Sequence, residues 1–410
     1  MTIPPANRIV VIGNGMAGHR LLSELVARGQ HEGLTAIGAE PHAAYNRILL
    51  SSVLAGDKST ADVALAGQAW YASCGIELLT GDAVAKIDRA ARTVATASGR
   101  VVPYDRLVLA TGSRPIRLGL PGIDLAGVTA FRDIADVERM CGTPAGARAV
   151  VIGGGLLGLE AAAGLQRRGI GVVVVHLAGE LMERQLDVPA AALLADAVST
   201  RGIDVRLGAQ TKEIVGRDGR VVAVRLADGS ELPADLVVLA VGVTPETALA
   251  REAGLECGRG IKVDDALCTS DPAISALGEC VEHRGQTFGL VGPIWEQAKV
   301  LADVLAGRGA RYAGTAPVTS LKVSGIDLFS AGVVREGEGA ETLVLADPVT
   351  PVYRKFVLRD GRLEGALLYG DVEDAGWYAE LIAGAQDVGT LRDALAFGRA
   401  HAQPMAQAAE

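Results

Sequence analysis

Two stretches decide the fold, Arg8-Ile-Val-Val-Ile-Gly-Asn-Gly-Met-Ala-Gly18 and Arg148-Ala-Val-Val-Ile-Gly-Gly-Gly-Leu-Leu-Gly-Leu-Glu160. In each, an apolar run ends in Gly-x-Gly-x-x-Gly: Gly13, Gly15 and Gly18, then Gly153, Gly155 and Gly158. A dinucleotide turn needs glycine at three places, for a tight bend, for close approach of the backbone to pyrophosphate, and for contact between helix and strand. A helix is predicted after each turn. In the first, Ala17, Leu21 and Leu25 sit four apart, with Leu22 and Val26 widening the stripe; in the second, Leu156–Arg168, Leu159, Ala163 and Leu165 do the same. The free N–H groups of such a helix face the phosphates.

Strand, glycine turn, helix and strand thus occur twice, over Arg8–Glu40 and Arg148–His176. Predicted strands are Ile9–Ile12, Leu34–Gly38, Leu107–Ala110, Ala149–Ile152, Val172–His176 and Leu236–Val241. Their alternation with helical stretches predicts parallel, doubly wound sheets, so the fold class is α/β with two Rossmann-like dinucleotide-binding domains. Each repeat is closed by a strand with a small-residue turn, Leu107-Val-Leu-Ala-Thr-Gly112 and Leu236-Val-Val-Leu-Ala-Val-Gly242. From about Pro317 the texture becomes hairpin-like, and Arg-Asp-Gly inside Lys355–Leu368 marks a turn, which predicts a C-terminal α+β domain. The expected division is residues 1–115 with 247–316, residues 116–246, residues 317–400, and a disordered tail at 401–410.

The two repeats differ downstream of their turns. Glu40, after the second strand of the first repeat, is the acid expected to grip an adenosine ribose; the matching strand of the second repeat ends at His176 without one. There Glu180 could bond a ribose hydroxyl and favour NADH, whereas His176 or Arg184 could approach a 2′-phosphate and favour NADPH. Two nucleotide sites in one chain have a simple account in hydride chemistry: the N-terminal one holds a resident flavin, FAD, and the second a visiting NADH or NADPH.

Composition narrows the alternatives. A length of 410 residues predicts two or three domains of roughly 150 residues each. The net charge of −9 without a basic run, and only 4% aromatic residues, argue against a nucleic-acid partner. Neither a secretory leader nor an apolar run long enough to span a bilayer is apparent, so the expected location is cytoplasmic, without a membrane partner. Cys74, Cys141, Cys257, Cys268 and Cys280 are scattered and form no C-x-x-C, so no metal site or dithiol centre is expected of them.

Further segments carry a family resemblance: Tyr45-Asn-Arg-Ile-Leu-Leu-Ser-Ser52, Leu109-Ala-Thr-Gly-Ser-Arg-Pro115, Ala276-Leu-Gly-Glu-Cys280, Phe288–Ala298 and Asp374-Ala-Gly-Trp-Tyr378. With the glycine turns, the chain resembles along nearly its whole length the two-dinucleotide-binding-domain flavoprotein reductases of the pyridine nucleotide-disulfide oxidoreductase superfamily. It resembles in particular the flavin subunit of assimilatory nitrate and nitrite reductases, to which the rubredoxin and ferredoxin reductases are related. The resemblance implies that Gly13, Gly15, Ala17, Gly18, Glu40, Arg47, Ser52, Thr111, Gly112, Glu279 and Trp295 bind FAD. Arg47, Ser51 and Ser52 would lie beside the flavin, Glu279 would hold its ribityl chain, and a helix Trp295–Ala298 would aim its N-terminus at the pyrimidine end of the ring. Gly153, Gly155, Leu156, Leu157, Gly158, Glu160, His176, Glu180 and Gly242 would bind NAD(P)H, with Glu160 near the nicotinamide.

Departures from relatives matter as well. Ferredoxin reductases often carry Lys where Ser52 stands, paired with the acid matching Glu160. Peroxide-reducing relatives need a cysteine in the same segment, and Ser51 and Ser52 cannot supply a sulfenic acid. Large nitrite reductases continue into iron-sulfur and sirohaem modules, which are not in this sequence, so nitrite reduction by the chain alone is not expected. The expected activity is electron transfer from NAD(P)H through FAD to a separate iron-sulfur or molybdenum/haem protein, with no protein side chain required beyond the flavin and support from Glu160 and Ser52. A nitrate or nitrite reductase partner comes first and rubredoxin or ferredoxin second. An NADH-binding sensor without turnover, or a reductase of quinones or dyes, are the other readings. An acidic chain repels acidic ferredoxins unless Arg47, Arg114, Arg117, Lys322, Arg354 and Lys355 cluster near the flavin edge.

Overall fold

The structure is a computed structural model that describes residues 8–315, 318–323, 325–347 and 349–402. The chain divides into two compact units, and among described residues the first comprises 8–53, 58–116 and 242–315. Its centre is a five-stranded parallel sheet in the order Ile274–Ala276, Arg106–Leu109, Ile9–Ile12, Leu34–Ile37, Ile76–Leu79. All four residues of Ile9–Ile12 and of Leu34–Ile37 are buried, as expected of parallel strands covered on both faces. The helix Met16–Ala27 turns Gly18, Leu21, Leu22 and Leu25 inward. A small antiparallel meander, Val84–Asp88, Thr93–Thr96 and Val101–Pro103, is appended. The chain leaves and re-enters this unit through an antiparallel pair, Ser113–Pro115 with Val243–Pro245.

The second unit repeats the plan with residues 54–57 and 117–241, and it also takes in the C-terminal residues. Its parallel sheet runs Asp204–Arg206, Gly171–Val175, Arg148–Ile152, Leu236–Leu239, Val128–Ala130, again with an antiparallel meander, Thr211–Arg217, Arg220–Leu226 and Glu231–Pro233. The α/β class is borne out. The expected boundary at Pro317 and the tail residues 403–410 lie outside the described residues. His401 and Ala402 do not begin a disordered tail: they end a helical turn, and Ala402 is buried.

The C-terminal segment forms a five-stranded antiparallel sheet, Val318–Val323, Ile326–Gly332, Arg362–Tyr369, Val352–Arg359, Glu341–Asp347, covered by the helix Ala375–Gly384. The expected hairpin is present, and its two turn residues, Asp360 and Gly361, both have positive φ, as a tight turn between twisted strands requires. No helix among the described residues is long and apolar enough to cross a membrane.

Arg354 and Lys355 behave differently from the surface cations their sequence suggested. Both are buried: Arg354 pairs with Asp371 at 2.5 Å, and Lys355 with Glu336 at 2.7 Å and Asp187 at 3.1 Å. They are therefore removed from any docking patch. Arg114 pairs with Glu246 and Arg117 with Asp124, while the side chain of Lys322 lies outside the described residues.

Asp187 is the centre of this buried set. Its carboxylate caps the helix Val188–Thr200 by accepting from the Ala190 N–H, and it also accepts from the Tyr353 hydroxyl at 2.6 Å. Burial, reinforced by that carboxylate, raises the Tyr353 hydroxyl well above the ordinary range. Asp187→Ala removes a cap and leaves a buried ammonium short of an anion, so the unfolding free energy in urea is expected to fall by about 3 kcal/mol.

A second test concerns pH. Burial, assisted by the adjoining Arg20, pushes His19 down from 6.5 to about 4. Between these values the unfolded chain binds a proton that the folded one refuses. The stability held by a neutral His19 is complete above 6.5 and declines as pH falls toward about 4. Denaturant titrations are expected to show this slope, and His19→Gln to flatten it.

Candidate functional site: two glycine turns

The first turn is built by exclusion of side chains. Gly13 has φ +108°, and a Cβ there would lie 2.1 Å from the Ala110 carbonyl oxygen; a Cβ on Gly18 would lie 2.0 Å from the oxygen of Gly13. Gly15 differs: a Cβ there would meet nothing within 4 Å. Gly15 is also the N-cap of Met16–Ala27, with no side-chain cap and no acid in the first turn. Open space therefore faces the uncapped N–H groups, the arrangement that binds phosphate. Sequence reasoning missed Asn14, whose Oδ1 accepts from the Tyr71 hydroxyl while its buried Nδ2 has no hydrogen-bond partner among the described residues. Such a donor is costly to leave unpaired, by about 1–3 kcal/mol, and an acceptor from a bound group satisfies it.

Around this turn, Glu40 comes after the strand Leu34–Ile37 and accepts from Tyr45 at 2.6 Å and from the Arg47 guanidinium. Arg47 thus stands on the acid expected to hold ribose. Ser52, half-buried, lies on the short helix Leu50–Leu54, and Ser51 donates to the Ile48 carbonyl. The Thr111 hydroxyl donates to the Glu246 carbonyl, and the Gly112 carbonyl accepts from the Glu246 N–H, so these two residues close the exit of the chain. Glu279 accepts from Ser113 at 2.7 Å. Its neighbour Gly278 donates to the buried Gln297, and a Cβ on Gly278 would come within 2.9 Å of Ala17.

The expected helix Trp295–Ala298 in fact begins four residues earlier and spans Val291–Leu305, without a side-chain cap at Leu290. Pro293 lies in its first turn, where no N–H is needed for the ladder. Trp295 sits one turn further in, with the Arg20 guanidinium 5.4 Å from the centroid of its ring.

The second turn repeats the closure. Gly153 has φ +121°, and a Cβ on it would lie 2.2 Å from the Ala240 oxygen; one on Gly158 would lie 1.9 Å from that of Gly153. Gly155 again opens on empty space and caps Leu156–Arg167 with no side-chain bond. Leu156 and Glu160 are half-buried on this helix and Leu157 is exposed. His176 reaches back to the turn, its Nδ1 accepting from the Gly154 N–H at 3.1 Å while Nε2 contacts Glu183 at 3.0 Å. Glu180 is engaged by Arg335 at 2.5 Å. Gly242 falls in the first unit, where its carbonyl accepts from the Ile116 N–H; the second turn is closed instead by Ala240 and Val241. Sequence reasoning missed Gly154 and Glu183. The only local signal was the unbroken Gly153-Gly154-Gly155 run, since a Cβ on Gly154 would collide with the His176 ring at 2.7 Å.

The five cysteines are free thiols, and burial raises the thiol pKa of Cys141, Cys257, Cys268 and Cys280. Raised thiols are poor nucleophiles at neutral pH.

Comparison with known proteins agrees with this geometry. Residues 7–300 match the family model described as pyridine nucleotide-disulphide oxidoreductase, and residues 317–385 match the rubredoxin NAD+ reductase C-terminal domain. The chain is 46% identical to a nitrite reductase [NAD(P)H] of Bacillus subtilis over 93% of its own length and 48% of that protein. It is 43% identical to the assimilatory nitrate reductase electron transfer subunit of the same organism over 90% of itself and 48% of the other. The chain spans about half the length of these curated relatives. Among solved structures, the covalent putidaredoxin reductase–putidaredoxin complex superimposes with TM-score 0.88 at 28% identity, covering 98% of each chain. The chain belongs to the pyridine nucleotide-disulphide oxidoreductase family.

Proposed function

We propose that the chain moves electrons from NAD(P)H to a separate iron-sulfur or molybdenum/haem protein in the cytoplasm, as the electron-transfer part of a nitrate or nitrite reductase. The observation that carries this reading is the pair of open, uncapped glycine turns in a chain 46% and 43% identical to the two Bacillus subtilis proteins. Rubredoxin or ferredoxin is the second reading for the acceptor, favoured by the match of residues 317–385 to a rubredoxin reductase domain. In this reading residues 1–115 and 247–316 serve FAD, residues 116–246 serve NAD(P)H, and 317–400 contribute to acceptor docking.

The chemistry that FAD supplies when bound is acceptance of hydride and onward release of single electrons. The first turn fits the group: the Gly13–Gly18 cradle leaves room for pyrophosphate, the first-turn N–H groups and Asn14 Nδ2 supply unspent donors, and Glu40 supplies an acceptor for ribose. Ala17, Arg47, Ser52, Thr111, Gly112 and Glu279 would complete the lining. Trp295 lies in the uncapped helix Val291–Leu305, whose positive end suits a site that gains negative charge on reduction. At the second turn Gly153, Gly155, Leu156, Leu157 and Gly158 would hold the nucleotide pyrophosphate, with Glu160 near the nicotinamide.

Three measurements test these assignments. Gly18→Ala drives a methyl into the Gly13 carbonyl, so the protein is expected to purify with a large loss of flavin absorbance. Gly155→Asp meets no steric obstacle but places an anion where phosphate belongs, so NADH-dependent dye reduction is expected to fall by about 100-fold while flavin stays bound. Unchanged turnover in that variant would overturn the second assignment. Steady-state reduction of a nitrate reductase catalytic subunit, compared with rubredoxin and ferredoxin, decides the acceptor; faster turnover with rubredoxin favours the second reading.

A further inference from the structure

We propose that Glu183 reads the adenosine ribose of the hydride donor in place of the acid missing at position 176, and that the site therefore takes NADH in preference to NADPH. The inference rests on assigning the second glycine turn to NAD(P)H.

The loop after Gly171–Val175 is folded back onto the turn from both sides of one residue. Gly154 donates its N–H to His176 Nδ1, and its carbonyl accepts from the Met182 N–H at 3.1 Å. Met182 is buried and holds φ +52°, a left-handed conformation that side-chain-bearing residues adopt only where the surroundings impose it. That bend delivers the next residue, Glu183, to the imidazole. Because Nδ1 already accepts, the ring proton sits on Nε2 and donates to Glu183 Oε2 at 3.0 Å. His176 is thus a positioning residue that extends the strand end to a carboxylate.

The carboxylate is suited to the task. Glu183 keeps 41% of its side-chain exposure against 12% for His176, so a ligand can reach it, and one imidazole bond leaves acceptor capacity unused. Burial alone would raise its pKa, but a backbone hydrogen bond, His176 and Arg184 outweigh it and keep the group ionised. Ribose hydroxyls donate to such an anion, whereas a 2′-phosphate is repelled by it. Glu180 is already committed to Arg335, which also donates to the Leu186 carbonyl, so the loop is fastened at both ends. Arg184 is the exposed competitor that would favour a 2′-phosphate.

The test is calorimetric titration of the flavin-loaded full chain with NAD+ and NADP+, with KM and kcat measured for NADH and NADPH. The unaltered protein is expected to bind NAD+ at least about tenfold more tightly than NADP+. In Glu183→Gln the Kd for NAD+ and the KM for NADH rise about tenfold, NADP+ binding strengthens, and kcat with NADH is retained. Glu183→Asp, which keeps the charge, retains discrimination against NADP+, and Arg184→Gln leaves the preference for NAD+ in place. The proposal is overturned by an unchanged NAD+/NADP+ ratio in Glu183→Gln, or by a preference for NADP+ that Arg184→Gln abolishes. Failure to bind either nucleotide overturns the parent assignment as well, whereas equal affinity for both overturns only the role of Glu183.

Discussion

Close contact between a helix backbone and a carbonyl oxygen governs both halves of the chain. The Cα of Gly18 stands where any Cβ would lie 2.0 Å from the Gly13 oxygen, and Gly158 stands likewise against Gly153. This contact pins each helix directly over the end of its strand, so its first N–H groups cannot be displaced sideways and must face the opening above Gly15 or Gly155. The sheets, the buried helix faces and the closing strands at Leu109 and Leu239 hold that contact in place. The three spaced glycines are thereby fixed alike in both repeats, while the residue between the first two, Asn14 in one and Gly154 in the other, and the segments beyond the turn differ.

The features legible in the sequence are those set by short-range forces. The strands Ile9–Ile12 and Arg148–Ile152, the helices after each turn and the hairpin at Asp360-Gly361 are fixed by local periodicity and turn chemistry, and all were legible. Both antiparallel meanders were not, because strands such as Val84–Asp88 and Glu231–Pro233 are largely exposed and lack an apolar run. The early start of Val291–Leu305 was hidden by Gly292 and Pro293, which resemble breakers although proline is compatible with a first turn.

The residues of the site divide the same way. The glycines were readable from spacing, since their demand is steric and local. Glu183 was not, because its approach to His176 depends on a left-handed bend at Met182 and on a hydrogen bond returning to Gly154. Arg354 and Lys355 read as adjacent surface cations, and only pairing with Asp371, Glu336 and Asp187 explains their burial.

The bonds from Arg335 to Glu180 and from Tyr353 and Lys355 to Asp187 tie the loop between His176 and the helix Val188–Thr200 to the C-terminal sheet. A nucleotide that stiffens this loop therefore also raises the opening free energy of the strand Val352–Arg359, since the two share a buried ion cluster. Linkage makes the coupling reciprocal: any protein bound to the C-terminal sheet that rigidifies this strand also tightens the hold on the nucleotide. Were the second turn to hold the hydride donor as proposed, this loop and the C-terminal sheet would form one cooperative element, and protection of their amide hydrogens from exchange with solvent would be set jointly.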